Sequence, residues 1–189
     1  MKAIKRITAL ALCALMLLGL LSGCGEKKQG DEKFVLNASV CNVIDSLDPA
    51  MNTDTDADSV FYALYENLMR ESDDGSGEVT LTNGMAKEYT EETNYDGSVT
   101  YRFTLRSTAR WSDGEKVTAD DFVYAWQRLA DPATASPNAA LLEMVAGYRQ
   151  VRSSGDVSKL QVSAPEENTF VVTLSNRCAY FLSAVCTAA

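Results

Sequence analysis

Apolar and polar residues alternate along Thr100-Tyr101-Arg102-Phe103-Thr104-Leu105-Arg106, a period of two that predicts a half-buried strand. Asp96-Gly97 just before it predicts the turn that feeds it. Further strands are predicted over 34–41, around Val79 to Leu81, over Leu160 to Val162 and over Thr169 to Leu174, the last two joined through Pro165-Glu166-Glu167-Asn168. Elsewhere the period becomes helical. Phe61, Leu64, Tyr65 and Leu68 follow Asp58 or Ser59, either of which can cap a helix. Phe122, Ala125, Trp126 and Leu129 share one face behind Thr118, with Asp121 placed to complete a capping box and Asp131-Pro132 to stop the helix. Leu141, Met144, Val145 and Tyr148 predict a helix over 138–151 that turns these side chains inward, and another begins at Ala179. Between the first strand and first helix, Ser46-Leu47-Asp48-Pro49 breaks the pattern and starts an extended passage through Thr55, because the residue before a proline is pushed out of helical space. No internal repeat is present.

The N-terminal pattern is of another kind. Lys2, Lys5 and Arg6 precede an apolar run from Ile7 to Leu21, interrupted only by Thr8 and Gly19. That run is too short for a comfortable membrane span and reads as the hydrophobic region of a signal peptide. Its end, Leu21-Ser22-Gly23-Cys24, resembles the lipobox of bacterial lipoproteins. The resemblance implies removal of residues 1–23 and a diacylglyceryl group on Cys24, with 24–33 as the lipidated residue and a polar tether. Two acyl chains, at about 0.8 kcal/mol per buried CH₂, anchor far more firmly than one.

Charge narrows the function. The chain carries 17 Lys and Arg against 26 Asp and Glu, net −9, and loss of the three basic residues of the leader moves this to −12. Such an acidic body does not suit nucleic acid, whose phosphates need clustered cations. Neutral or cationic ligands fit it slightly better. There is no histidine, which removes the commonest general base and metal ligand together. Cys41, Cys178 and Cys186 remain after the leader and Cys24 are set aside; their spacing fits no metal site, and buried free thiols are expected rather than a bridge.

Asp54, Asp56 and Asp58 imitate the opening of a calcium loop, but Ser59 and Tyr65 stand where that loop needs Gly and Glu. An acidic approach to a helix N-terminus is the expected reading. Asp73, Asp74 and Glu78 read as a solvated turn, and adjacent Asp120 and Asp121 point to different helix faces rather than forming an acid/base couple. Trp111, Phe122 and Trp126 read as packing rather than ligand-stacking aromatics. No nucleophile motif or phosphate loop is present, so neither an enzyme nor a metal or other cofactor is expected.

A longer series of motifs runs in order along the chain. Ser46-Leu47-Asp48-Pro49 is followed by Leu64-Tyr65-Glu66-Asn67-Leu68-Met69, then by Asn83-Gly84-Met85-Ala86-Lys87-Glu88-Tyr89 and by the strand from Asp96 to Arg106. Trp111-Ser112-Asp113-Gly114-Glu115-Lys116-Val117-Thr118-Ala119-Asp120-Asp121-Phe122 comes next, and Asp131-Pro132 closes the set. The series resembles the family 5 extracellular solute-binding proteins, the oligopeptide- and dipeptide-binding lipoproteins of ABC importers. It implies an α/β, periplasmic-binding-protein-like type II fold of three domains. Residues 34–46 and 168–189 would belong to the first domain and 47–167 to the second, with the third outside this N-terminal portion.

The resemblance also implies a role: capture of a peptide for the permease subunits, at the extracytoplasmic face of the membrane (periplasm or cell surface), held there through Cys24. The segment after Leu-Asp-Pro would lie along the ligand main chain, which maps onto Asn52, Thr53, Asp54 and Thr55. The loop after the second-domain helix would approach ligand through Pro137 and Asn138. Oligopeptide binders carry Tyr where Asn138 stands, so a nickel complex, an opine or an oligosaccharide is an alternative solute. Asn67 and Asn83, at positions usually Gly and Pro in the family, read as surface or loop changes. A secreted hydrolase and a surface signalling or adhesion lipoprotein are the competing classes.

Overall fold

The computed structural model describes residues 43–73 and 75–186, together with Val35, Asn37, Ser39 and Cys41. The expected leader, the lipobox with Cys24, the polar tether and Asp74 lie outside the described residues. The chain divides into two compact units, residues 1–39 and 40–189, and every element below belongs to the second. Of the strand expected over 34–41, the four described residues are exposed and none is in a strand.

The core is a four-stranded antiparallel sheet in the order β3-β4-β6-β5, formed by β3 (Ala86–Thr93), β4 (Val99–Leu105), β5 (Val162–Glu166) and β6 (Thr169–Leu174). Two-residue alternation does on β4 what the sequence predicts: Val99, Tyr101, Phe103 and Leu105 are buried on one face. β6 sets Leu174, Val172 and Phe170 directly opposite Val99, Tyr101 and Phe103, so three apolar pairs fix the register. A one-residue slip would turn all of them to the other face. The edges differ in character. β3 buries only Ala86 and carries Lys87, Glu88, Glu91 and Glu92; β5 contains Pro165 and loses regular pairing between Ser163 and Glu166. A separate hairpin, β1 (Met69–Asp73) with β2 (Val79–Asn83), precedes the sheet.

Helix α2 covers the buried face of the sheet. The three helices used below are α1 (Thr55–Leu64), α2 (Ala119–Ala130) and α3 (Tyr148–Ser154); a single turn, α4 (Phe181–Ala184), ends the described region. The capping box of α2 forms as its sequence predicts, with Asp121 accepting from the Thr118 backbone N–H at 2.7 Å. Phe122 and Trp126 meet Phe170 with ring centroids 5.8 and 5.1 Å apart, and Phe181 closes the cluster against Tyr101 at 4.6 Å. Phe122 and Trp126 are thus packing residues, whereas Trp111 is exposed at its turn.

Three expectations fail for identifiable reasons. α1 starts at Thr55, not after Asp58, because the Asp54 side chain already accepts from the Asp56 N–H at 2.8 Å; Leu68 lies beyond its end. The helix expected over 138–151 is broken. Residues 139–142 form a 3-10 turn that leaves Leu141 exposed and buries Leu142. The backbone of 144–146 then bonds to the sheet instead: Ser175 N–H donates to Met144, Ala146 N–H to Thr173 and Gln161 N–H to Ala146, each at 2.9 Å. Helical spacing of apolar residues was a coincidence of two separate elements. The cysteines are free as expected, but Cys41 is exposed; only Cys186 is fully buried, and burial raises its thiol pKa to about 11.

Asn67 lies in a loop, as its sequence implies, and is half-buried. Its side-chain amide donates to the Cys186 carbonyl at 2.9 Å, tying the start of β1 to the end of α4. Asn83 uses its amide on the Lys87 carbonyl at 2.6 Å and its own carbonyl on Arg106.

Gly147 closes the break before α3 with φ +85°, and a Cβ there would sit 1.9 Å from the Lys159 carbonyl oxygen. Gly97 has the same φ but open space around it. Gly97→Ala should therefore cost only the left-handed strain, about 1–2 kcal/mol. Gly147→Ala should exceed that by at least about 1 kcal/mol, since backbone must move as well. Urea unfolding of both variants measures the difference; equal losses would show that the 147–159 contact yields freely.

Candidate functional site

The segment expected to meet ligand is held from both ends. At its start the Asp48 N–H donates to Ser46 Oγ at 3.1 Å, and the Asp48 carboxylate caps the 3-10 turn Pro49–Met51 by accepting from the Ala50 N–H at 3.1 Å. Pro49 suits the first position of such a turn, having no N–H to leave unpaired. The same carboxylate takes both arms of the Arg128 guanidinium, one at 2.9 Å, and so fastens this segment to the last turn of α2. At the far end Asp54 caps α1, and Asp56 and Asp58 fill its first turn, where carboxylates favour the helix dipole.

Between these anchors the backbone is extended, with φ/ψ of −71°/134° at Asn52 and −115°/128° at Asp54. Loop 131–138 grips it. Asp131 caps a short turn over Pro132–Thr134, and Ala135 follows in the left-handed region at φ 52°. That conformation aims the buried Ser136, whose hydroxyl donates to the Ala50 carbonyl and accepts from the Asn138 N–H at 3.0 Å. The Asn138 amide then donates to the Asn52 carbonyl at 2.8 Å. Asn52 itself donates to Asp58 at 2.6 Å and accepts from the Asp54 N–H at 2.8 Å. Thr53 is exposed, and its backbone N–H and C=O meet no partner among the described residues.

A cavity of about 260 Å³ opens beside this segment, lined by Asn52, Thr53, Asp54, Thr55, Asp58, Asn138 and Leu141. Five of the six expected ligand-facing residues are thus brought to one place across more than 80 positions of sequence. Pro137 is exposed nearby and does not line the cavity. Asp58 and Leu141 are additions. The signal for Asp58 was its four-residue offset from Asp54, which puts both on one helix face; Leu141 was hidden by its apparent helical partners. A larger hollow of about 730 Å³ lies between residues 143–150 and 175–180 and contains none of the expected residues. Among the described residues no three His, Cys, Asp or Glu side chains gather as a metal site, and no helix is long and apolar enough to cross a membrane.

Comparisons with known proteins bear on this geometry. The model for bacterial extracellular solute-binding proteins, family 5 Middle, matches residues 80–188. The dipeptide-binding protein of Lactococcus lactis is 32% identical over 181 residues, which cover 95% of this chain and 30% of that protein. The periplasmic oligopeptide-binding protein OppA of Salmonella typhimurium is 38% identical over 145 residues, 73% of this chain and 24% of that one. Among solved structures, Haemophilus influenzae OppA in complex with RPPGFSPFR superposes with a TM-score of 0.65 at 35% identity, covering 75% of this chain and 27% of that chain. Listeria monocytogenes OppA bound to peptide gives 0.68 at 29% identity, covering 79% and 28%. The chain spans about a third or less of the length of each, and its fold is part of theirs.

The hydrogen bond from Arg128 is the largest influence on Asp48 and holds its carboxyl below the usual 3.8, against the opposing push of burial. A depressed carboxylate stabilises the fold above its unfolded pKa and loses that contribution as pH falls through the lower folded value. The two side chains are 31% and 37% exposed, so solvent screening limits the pair to about 1 kcal/mol. Asp48→Asn should therefore be less stable by about that amount at pH 7, and the gap to the unmodified chain should shrink below pH 3.8. Thermal melts of both across pH 2.5–7, roughly spanning the carboxylate range, test this; a gap independent of pH would mean that the ion pair is idle.

Proposed function

The chain belongs to the bacterial extracellular solute-binding proteins of family 5, and on that footing we propose that its full-length protein captures peptides outside the cytoplasm for the permease subunits of an ABC importer. Thr53 is the observation that carries the reading. The residue is exposed, and its N–H and C=O meet no partner among the described residues, on an extended segment that is pinned on either side, beside a cavity. A peptide main chain can add there as a short strand, exchanging hydrogen bonds with Thr53 while its side chains enter the space next to it. Asn52, Asp54 and Thr55 flank that contact, with Pro137 and Asn138 on the adjoining rim. Family members are binding proteins, and nothing in the site supplies a nucleophile with a base beside it.

Position in the cell belongs to the same proposal. Lipid on Cys24 would hold the protein at the extracytoplasmic face of the membrane, with residues 25–33 as tether. Residues 47–167, with α2, would form the second domain, and 34–46 and 168–189 would belong to the first. A non-peptide solute is the second reading. It is favoured by Asn138 at a position expected to be aromatic, and by the 36% identity over 139 residues to a probable deoxycholate-binding periplasmic protein of Escherichia coli, covering 72% of this chain and 25% of that one.

Two experiments test these statements. Titration calorimetry of the full-length protein with a mixed pool of short peptides should show saturable binding, and residues 25–189 alone should not. Two or three water-exposed main-chain bonds, each worth about 0.5–1.5 kcal/mol net, do not offset the roughly 4–15 kcal/mol cost of immobilising a peptide. No binding by the full-length protein, with tight binding of a bile acid or metal complex, would move the assignment to the second reading. Separately, Cys24→Ala should release the protein from membranes; retention of that variant after a high-salt wash would remove the lipid anchor.

A further inference from the structure

We propose that Asn138 is a positioning residue of the solute site, acting through Asn52 rather than as a wall against the ligand; the inference rests on the site reading above and concerns how that site is held ready. An asparagine amide offers two N–H donors and one carbonyl acceptor. The Asn138 side chain donates to the Asn52 carbonyl at 2.8 Å. Its own backbone N–H is fixed by Ser136 Oγ, which donates in turn to the Ala50 carbonyl. Loop 136–138 thus takes two carbonyls, that of Ala50 in the 3-10 turn and that of Asn52 on the extended segment.

In an extended chain successive residues present their hydrogen-bonding groups to opposite sides. Committing the Asn52 carbonyl to the loop leaves the groups of Thr53 turned away from it. The grip reaches further through Asn52, whose side chain connects to Asp58 of α1 and to the Asp54 N–H. Two amides, those of Asn138 and Asn52, therefore hold the segment to the loop and to the first turn of α1. Ala135 supports the inference independently. It is the non-glycine residue with positive φ among the described residues, at 52°, and its strain sits at the position that swings Ser136 and Asn138 onto the segment.

A side chain that shapes a pocket changes affinity according to what the ligand carries. A side chain that positions backbone changes affinity for every ligand alike, because it alters the readiness of a contact all of them share. The test uses the full-length protein, three dipeptides with neutral, aromatic and cationic side chains, and hydrogen exchange without ligand. Asn138→Ala and Asn138→Asp both remove the donor to the Asn52 carbonyl, the second without change of size. Each should weaken all three dipeptides by a similar factor, about 2- to 12-fold for one hydrogen bond. Exchange at the Asn52 and Asp54 amides should quicken in both variants, and Asn138→Gln, which restores an amide donor, should recover part of each effect.

A change that depends on the dipeptide would overturn the inference: improved binding of the cationic one to Asn138→Asp, or a loss confined to the aromatic one. Unaltered exchange at residues 52 and 54 would overturn it as well. If the unmodified protein bound none of the dipeptides, the peptide reading would fall, while the exchange measurement would still decide whether Asn138 holds the segment.

Discussion

The site depends on a single ion pair between residues 80 positions apart. Arg128, on the last turn of α2, fixes where the Asp48 end of the segment lies. The sheet fixes α2 through Phe170 beneath Phe122 and Trp126, α2 fixes Arg128, and Arg128 fixes Asp48. Pro49 and the Ala50 cap then set the direction of the chain toward Asn52. The Leu-Asp-Pro motif is thereby a physical unit. Its aspartate turns toward the helix, its proline limits the backbone, and its leucine stays exposed on the other side. Position passes outward from the apolar core to a place that contains almost no core of its own.

Local costs are met by specific contacts. Ala135 carries roughly 1–2 kcal/mol of left-handed strain, and the bonds of Ser136 and Asn138 to the facing segment offset it. Asp54 and Asp58 stand within one helical turn, where mutual repulsion is unfavourable, yet one caps the helix and the other takes the Asn52 amide. The acidic triplet thus serves helix initiation, and its resemblance to a metal loop is a consequence of that.

What could be read from the sequence follows physical regularity. β4 was legible because it alternates strictly and β6 because it is a short apolar, β-branched run; α2 was legible because its cap, apolar stripe and stop signal agree. β3 was missed because an edge strand with seven of eight residues exposed has no apolar period to detect. Leu68 misled because it falls at helical spacing from Phe61 but lies beyond the end of α1, just before β1. At the site, residues 52–55 and 138 were named through family resemblance and do share one cavity. Their mutual bonds were not legible, since a contact between Asn52 and Asn138 leaves no trace in either local pattern. Helical spacing from 141 to 148 misled because the backbone of 144–146 had partners in the sheet that the sequence does not announce.

The guarded edges of the sheet matter under the proposed capture of peptides, where backbone itself would be recognised. Any extended chain presents the same amides and carbonyls as a peptide, including a neighbouring copy of the protein itself. Along β3 the row of Glu88, Glu91 and Glu92 makes a second identical strand repellent, and on β5 Pro165 interrupts the ladder where another strand would dock. Thr53 by contrast offers the width of one residue, between a 3-10 turn and a helix, which is too short to seed a growing sheet. Under that proposal, peptide would be told from self by length of exposed edge before any side chain is consulted.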